Sequence, residues 1–70
     1  MIRELDVVAL THDIEEENLK EGDTGTVVDC SRDGVGFIVE FMTPDGTTVA
    51  VLPLTDRDIR LIEHPTREVV

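Results

Sequence analysis

The stretch Lys20-Glu21-Gly22-Asp23-Thr24-Gly25-Thr26-Val27-Val28 decides the fold of this 70-residue chain. Gly22 and Asp23 turn the chain, because glycine adopts backbone conformations that other residues avoid. Gly25 then allows a close approach of two backbones, or a kink where a sheet bends sharply. The residues that follow are rich in β-branched side chains, which fit a pleated surface. The stretch therefore predicts a turn that leads into a small, curled β-sheet.

Turn signals divide the rest of the chain into short strands. Ser31-Arg32-Asp33-Gly34 contains Asp-Gly, the strongest hairpin signal in the sequence. Pro44-Asp45-Gly46 predicts a second hairpin, because proline fixes φ at the first corner of a turn. The predicted strands are Glu4 to Leu10, Thr26 to Cys30, Gly36 to Met42, Thr47 to Leu52 and Ile59 to Ile62.

Two connections differ from these tight turns. Residues 11–21 form a long polar loop whose apolar residues, Ile14 and Leu19, are spaced as two anchors on a core rather than as a helical stripe. A single helical turn around Glu15–Asn18 is compatible with the pattern. A second helical turn is predicted at Thr55 to Asp58, where Thr55 can cap it and acids favour its start.

Five short strands, a long loop after the first and a helical turn before the last predict an all-β, five-stranded SH3-like barrel. Closing the sheet removes most unpaired edges, which suits a chain too short for two full layers. We expect one domain over residues 1–70, with an ordered core at about 4–62 and a tail, 63–70, that is loose or docked on the surface.

The chain also resembles a family of small bacterial proteins described only as a domain of unknown function. The resemblance covers residues 4–62 and rests on the opening Leu5-Asp-Val-Val-Ala-Leu-Thr-His-Asp-Ile14, the Lys-x-Gly-Asp-x-Gly-Thr-Val-Val turn at 20–28 and the closing strand Asp58-Ile-Arg-Leu-Ile62. It implies an SH3-like barrel of prokaryotic origin, and it implies no activity and no functional residues. A looser likeness joins the Gly-x-x-Gly-x-Val turn to ribosomal and transcription-factor barrels, which are usually basic.

The charge balance argues against several partners. Sixteen acids against six bases give a net charge of −10. Phosphate backbones and anionic lipid surfaces are bound by clustered Lys and Arg, which this chain lacks. No apolar run reaches the length of a membrane span, and the N-terminus lacks the apolar region of a signal peptide. We expect a cytoplasmic protein that binds neither nucleic acid nor membrane and whose partner is a basic protein.

The sequence predicts no catalytic, cofactor or metal site. Cys30, at the end of an apolar strand, reads as a buried, inert thiol, and a reactive thiolate would need a neighbouring cation. Its pairing with His12 or His64 is the only nucleophile–base combination available, and nothing in the sequence requires them to meet. The mixed charges of Asp56, Arg57, Asp58 and Arg60 suit local capping and exposed ion pairs.

Two features are candidate partner-binding elements. The first is the acidic loop, with Asp13, Glu15, Glu16, Glu17 and Glu21. It is either a solvated, self-repelling loop or a docking face for a basic protein, and its consecutive Glu residues lack the spacing of a calcium loop.

The second is an apolar excess on the outer sheet face. Phe37, Val39 and Phe41 share one face of the third predicted strand, so Ile38, Glu40 and Met42 share the other. The fourth strand is apolar on both faces and adds Val49 and Val51 to the outer one. Either the long loop and the tail cover this face, or it is an interface.

These features predict a non-catalytic, acidic protein-binding module. Its most concrete form is an immunity- or antitoxin-like inhibitor of a basic bacterial partner. The alternative is a structural homo-oligomer, such as a homodimer, or a subunit of a larger bacterial enzyme assembly.

Overall fold

The computed structural model describes residues 2–62, so the predicted tail at 63–70 lies outside the described part of the chain. Its elements confirm the all-β class. They are β1 (Val7–Leu10), a 3-10 turn (Glu15–Glu17), β2 (Thr24–Cys30), β3 (Gly36–Met42), β4 (Thr48–Thr55) and β5 (Ile59–Leu61).

The five strands form one antiparallel sheet in the order β4-β3-β2-β1-β5, which is consistent with an SH3-like fold. The sheet curls without closing, since β4 and β5 are its two edges and do not pair with each other within residues 2–62. Only Asp56–Asp58 separate these strands in sequence, so the two edges lie within about 14 Å where β4 ends and β5 begins. The predicted five-stranded SH3-like fold is confirmed, and its sheet is unclosed within these residues.

The turn at Lys20–Asp23 has the predicted form. The N–H of Asp23 donates to the carbonyl of Lys20 at 2.9 Å, and Gly22 lies at the third position of this turn with φ +90°. A type II turn requires positive φ at that position, which glycine adopts without a steric penalty. The carboxylate of Asp23 also accepts the Lys20 N–H at 2.9 Å. Each end of the turn therefore donates a hydrogen bond to the other.

Both predicted hairpin turns are present. Gly34 N–H donates to Ser31 carbonyl at 3.1 Å, and Gly46 N–H donates to Thr43 carbonyl at 2.9 Å. In each turn an aspartate accepts backbone N–H groups, from Val35 and Thr47 respectively. Such Asx contacts are local, which explains why the sequence predicts these turns well.

Several strand boundaries differ from the prediction: β2 begins at Thr24 rather than Thr26, and the largest differences are at the start of β1 and the end of β4. β1 begins at Val7 rather than Glu4, because Arg3 and Asp6 form a turn in which Asp6 N–H donates to Arg3 carbonyl and Leu5 has φ +74°. β4 continues through Pro53 to Thr55. Proline is tolerated there because β4 is an edge strand and its outward-facing backbone needs no N–H donor.

The turn between β4 and β5 is a single hydrogen-bonded turn rather than a helix. Asp58 N–H donates to Thr55 carbonyl at 3.0 Å, and Thr55 N–H donates to the Asp58 carboxylate at 2.8 Å. The Thr55 hydroxyl accepts the Arg57 N–H at 3.3 Å. This reciprocal bonding is similar to a capping box, so Thr55 caps the turn although no helix follows it.

The core lies on the concave face of the curled sheet. It is a cluster of buried side chains: Val8, Leu10, Leu19, Val27, Phe37, Val39, Phe41 and Ile59. The predicted anchor Leu19 belongs to it, and Ile14 packs against it and forms a β-bridge with Leu19. The long loop is therefore pinned to the core at both anchors, as its spacing predicts.

Gly25 of β2 lies against β3 with no space for a side chain. A Cβ at this position would lie 2.8 Å from the Glu40 carbonyl oxygen, 2.8 Å from Val39 Cγ1 and 2.9 Å from Phe41 Cδ2. No side chain fits at such distances. The predicted close backbone approach at Gly25 is confirmed.

Candidate protein-binding surface

The outer, convex face of the sheet carries a continuous row of side chains across four strands. Val7 of β1 is paired with Thr26 of β2, Thr26 with Glu40 of β3, and Glu40 with Val51 of β4. Directly paired residues point to the same side of a sheet with Cβ atoms about 5 Å apart. Glu40 therefore lies in the middle of the face and Val51 at its edge.

Apolar side chains surround Glu40 on β3 and β4. Met42 is 51% exposed, Val49 48% and Val51 53%, while Ile38 is partly buried. The predicted two-faced character of β4 is present, since Ala50, Leu52 and Leu54 pack against the core from its other side. We call the set Ile38, Glu40, Met42, Val49 and Val51 the outer face.

The acidic loop lies beside this sheet as a short 3-10 turn. Glu15 and Glu16 are exposed and Glu17 is partly buried. Asn18 ends the turn with φ +56° and donates its N–H to the Glu15 carbonyl at 3.0 Å. Asparagine tolerates this left-handed conformation better than most residues, so the turn stops there.

Two of the predicted loop residues hold the loop together. The carboxylate of Asp13 accepts the backbone N–H of Glu21 at 2.8 Å. This bond joins the two ends of the loop across the Ile14–Leu19 bridge. Asp13 therefore shapes the loop, whereas Glu15 and Glu16 present their carboxylates to solvent.

The acidic loop and the outer face meet at a groove of about 450 Å³. Its lining includes Asn18 and Leu19, which directly follow the acidic turn, and Met42 and Val49 of the outer face. The structure thus brings Met42 and Val49 together with the loop. Ile38 and Val51 lie further along the outer face and do not line this groove.

A second depression, of about 280 Å³, adjoins Glu40 on its β2 side. It is lined by Val7, Thr24, Gly25, Thr26, Glu40, Met42 and Thr43. One oxygen of the Glu40 carboxylate accepts the Thr48 hydroxyl at 2.7 Å. Within residues 2–62, no Lys, Arg or His nitrogen lies within ion-pair distance of this carboxylate.

Glu40, Thr24 and Thr26 are absent from the residues predicted to bind a partner. A signal for Glu40 exists in the sequence, since it is the only charged residue between Gly34 and Asp45 and alternates with Ile38 and Met42. Its central place depends on the pairing of β2 with β3, which the sequence does not specify.

His12 fastens the start of the acidic loop to the turn before β5. Its Nε2 lies 2.8 Å from an Asp58 carboxylate oxygen, and its Nδ1 lies 2.9 Å from the Asp13 carbonyl oxygen. Because both neighbours are acceptors, only the doubly protonated ring donates to both. The bond to Asp58 and then the bond to Asp13 raise the pKa of His12. The Thr55 N–H and then His12 lower the pKa of Asp58.

The candidate nucleophile and base occupy different surroundings. Cys30, at the end of β2, is partly buried against the core, while His12 is bonded to Asp58 and Asp13. His64 lies outside the described residues. In the part of the chain from 2 to 62, no group of three or more His, Cys, Asp or Glu is placed to hold a metal ion. The same residues contain no helix long and apolar enough to cross a membrane.

The fold and this surface define a small all-β protein whose acidic loop lies next to an apolar sheet face. Residues 4–61 match the family described as Domain of unknown function (DUF4926), and the chain belongs to that family. The resemblance found in the sequence is confirmed at the level of the family. Comparison with curated proteins found no significant match, and comparison with solved structures found none either.

Proposed function

We propose that this protein is a non-catalytic binding module that docks a basic protein partner on its outer face and acidic loop. The observation that carries the proposal is the groove where Met42 and Val49 face the end of the acidic turn at Asn18. Apolar side chains and the carboxylate of Asp23 line the same groove, and the acidic turn ends at its border. Such a combination supplies binding energy and attraction at one place.

The apolar part supports docking because it is uncovered by the described chain. Met42, Val49 and Val51 each remain about half exposed on adjacent strands. The long loop, one of the two segments expected to cover the face, packs on the core through Ile14 and Leu19 instead. A contiguous apolar patch of this kind typically marks an interface.

The charge supports a basic partner. With a net charge of −10, the chain attracts cationic surfaces over a Debye length of about 8 Å at physiological salt. Glu15 and Glu16 are exposed in the turn that ends at Asn18, and they add to this attraction. Electrostatic attraction of this type mainly accelerates association, and the apolar contact slows dissociation.

In its most concrete form, the partner is a basic bacterial protein, such as a nuclease-like toxin, which this chain inhibits. The homo-oligomer is the second candidate, because the same apolar face would be buried between two copies. Two features oppose it. Stacking two copies would bring Glu40 carboxylates into an apolar contact, and each copy carries the same net charge of −10.

The test captures partners from a lysate of the source organism on wild-type protein and on Val51→Ser. The matched control is Val35→Ser, since Val35 is 47% exposed in the β2–β3 turn, away from the outer face, and Val51 is 53% exposed. We expect wild type and Val35→Ser to retain the same basic protein and Val51→Ser to retain much less. Thermal unfolding of both variants checks that they fold.

Two results would refute the proposal. One is the recovery of no basic protein at either low or physiological salt. The other is equal retention by Val51→Ser and Val35→Ser, which would place binding elsewhere. Light scattering distinguishes the homo-oligomer from the basic partner. A wild-type protein that is a dimer, with Val51→Ser a monomer, would support the homo-oligomer.

A further inference from the structure

The depression beside Glu40 has walls of two kinds. Val7 and Met42 provide apolar walls, while Thr24, Thr26 and Glu40 provide hydroxyl and carboxylate oxygens. A long side chain with an apolar stem and a cationic head requires this combination, because Lys and Arg bury their methylene groups and keep the charge on polar partners.

From this geometry we propose that the depression receives a lysine or arginine side chain of the protein partner, with its charge on Glu40. The inference rests on the proposed function and deepens it, because it names the group that the partner inserts. Glu40 is then the recognition residue at the centre of the outer face.

The position of Glu40 supports a specific charge contact rather than general attraction. It is partly buried, and its direct neighbours in the row are Thr26 and Val51. Along β3 it is flanked by Ile38 and Met42. A partner that covers this face removes water from the carboxylate, and an uncompensated charge under a covered apolar face is costly. The partner must therefore supply a cation at this point.

The hydrogen bonding of Glu40 leaves room for that cation. Thr48 donates its hydroxyl to Oε2 at 2.7 Å, which holds the carboxylate towards β4. Oε1 accepts no hydrogen bond within residues 2–62. Because a carboxylate oxygen has two lone pairs, both an ammonium and a guanidinium group have acceptors available.

The same reasoning opposes a second copy as the occupant of this face. The convex side of β3 presents Ile38, Glu40 and Met42, and none of these is a cation. A copy stacked with its outer face on this one would place carboxylate against carboxylate. A heterologous partner with a basic residue amid apolar ones satisfies both the charge and the apolar surface.

The test selects binders from a random dodecapeptide display library on the wild-type protein. Selected peptides are then measured against Glu40→Gln and against Glu4→Gln. The control Glu4→Gln removes the same charge from an exposed residue before β1. We expect enriched peptides to contain Lys or Arg flanked by apolar residues. Glu40→Gln should lower the affinity of these peptides by about tenfold to a hundredfold, as expected for a lost charged hydrogen bond. Glu4→Gln should leave their affinity within about twofold of the wild-type value.

A second measurement changes the peptide as well as the protein. The basic residue of a selected peptide is replaced by citrulline if it is Arg, or by norleucine if it is Lys. In the resulting double-mutant cycle, the loss from the peptide change should be large on wild type and nearly absent on Glu40→Gln, because the two groups interact directly.

The outcomes separate the two proposals. Peptides that bind the outer face without a basic residue, or whose affinity survives Glu40→Gln, overturn the inference and leave the proposed function standing. Additive losses in the cycle also overturn it. A library that yields no binder, together with no basic protein captured from the lysate, overturns both.

Discussion

Gly25→Ala should strongly destabilise this protein, because the new methyl group has no space. Its three nearest atoms would be the Glu40 carbonyl oxygen and Val39 Cγ1, both at 2.8 Å, and Phe41 Cδ2 at 2.9 Å. The carbonyl belongs to the β3 backbone, and Phe41 is a fully buried side chain. Neither can yield without moving β3 from β2, so we expect a cost of about 3 kcal/mol, at the upper end for overpacking.

This cost is large relative to the total stability. A chain of 70 residues has a free energy of unfolding of about 3.5 to 10 kcal/mol. Urea denaturation is the suitable assay, because guanidinium salts would screen the charges of this acidic chain. With a slope of about 1 kcal/mol per molar, the urea midpoint should fall by about 3 M. Far-UV circular dichroism must follow unfolding, since the chain contains no Trp or Tyr.

Gly36→Ala is the matched control, because Gly36 also lies in a strand. There the nearest atom to an added Cβ is Ser31 Oγ at 3.4 Å, an ordinary contact. Its free energy of unfolding should stay within about 1 kcal/mol of wild type and can rise, because alanine restricts the unfolded chain. Equal midpoints for Gly25→Ala and Gly36→Ala would refute the close approach of β2 and β3.

Two further predictions concern the ends of the long loop and the start of β1. His12 has a raised pKa, so the stability that it contributes is present below its ordinary pKa of about 6.5 and is lost as pH rises through the raised value. Asp58 has a lowered pKa, so its contribution is present above its ordinary pKa of about 3.8 and is lost as pH falls through the lowered value. Thermal unfolding should therefore show wild type more stable than His12→Gln between about pH 4 and pH 6.5, and this advantage should shrink as the pH rises above about 6.5; a difference that stays constant from about pH 4 to alkaline pH would contradict the His12–Asp58 bond. Leu5→Gly should raise the free energy of unfolding by about 1 kcal/mol relative to Leu5→Ala, because Leu5 has φ +74° and is 77% exposed; urea midpoints in the reverse order would show that this backbone is not strained.

Much of the fold follows from local sequence. The turns at Lys20–Asp23, Ser31–Gly34 and Thr43–Gly46 were predictable because each depends on a glycine and an aspartate within four residues. The alternation in β3 correctly predicts Phe37, Val39 and Phe41 as core residues. Such signals work because a turn or a strand face is decided by neighbours in the chain.

The strand ends were less predictable. β1 starts later than predicted because Arg3 and Asp6 hydrogen-bond to each other, although Leu5 lies within the predicted strand. β4 extends through Pro53 because the strand lies at an edge. Whether a strand is central or at an edge is a property of the assembled sheet, so no local pattern at Pro53 could predict it.

The candidate surface was likewise predictable from the sequence only in part. The apolar residues Ile38, Met42, Val49 and Val51 are identifiable from alternation, and their outward direction follows from period two. The meeting of Met42 and Val49 with Asn18 at one groove requires the loop to return over the sheet. That return depends on Leu19 entering a core formed by distant strands.

By itself, the sequence determined the all-β class, the turns, the alternating faces and the acidic charge, because each arises from residues close together in the chain. Only the tertiary structure decided that the curled sheet stays open, that Gly25 lies against β3, and that Glu40 stands between Thr26 and Val51. The physical reason is register. A shift of one residue between β2 and β3 would turn every side chain to the opposite face, and that register is set by the whole core rather than by either strand alone.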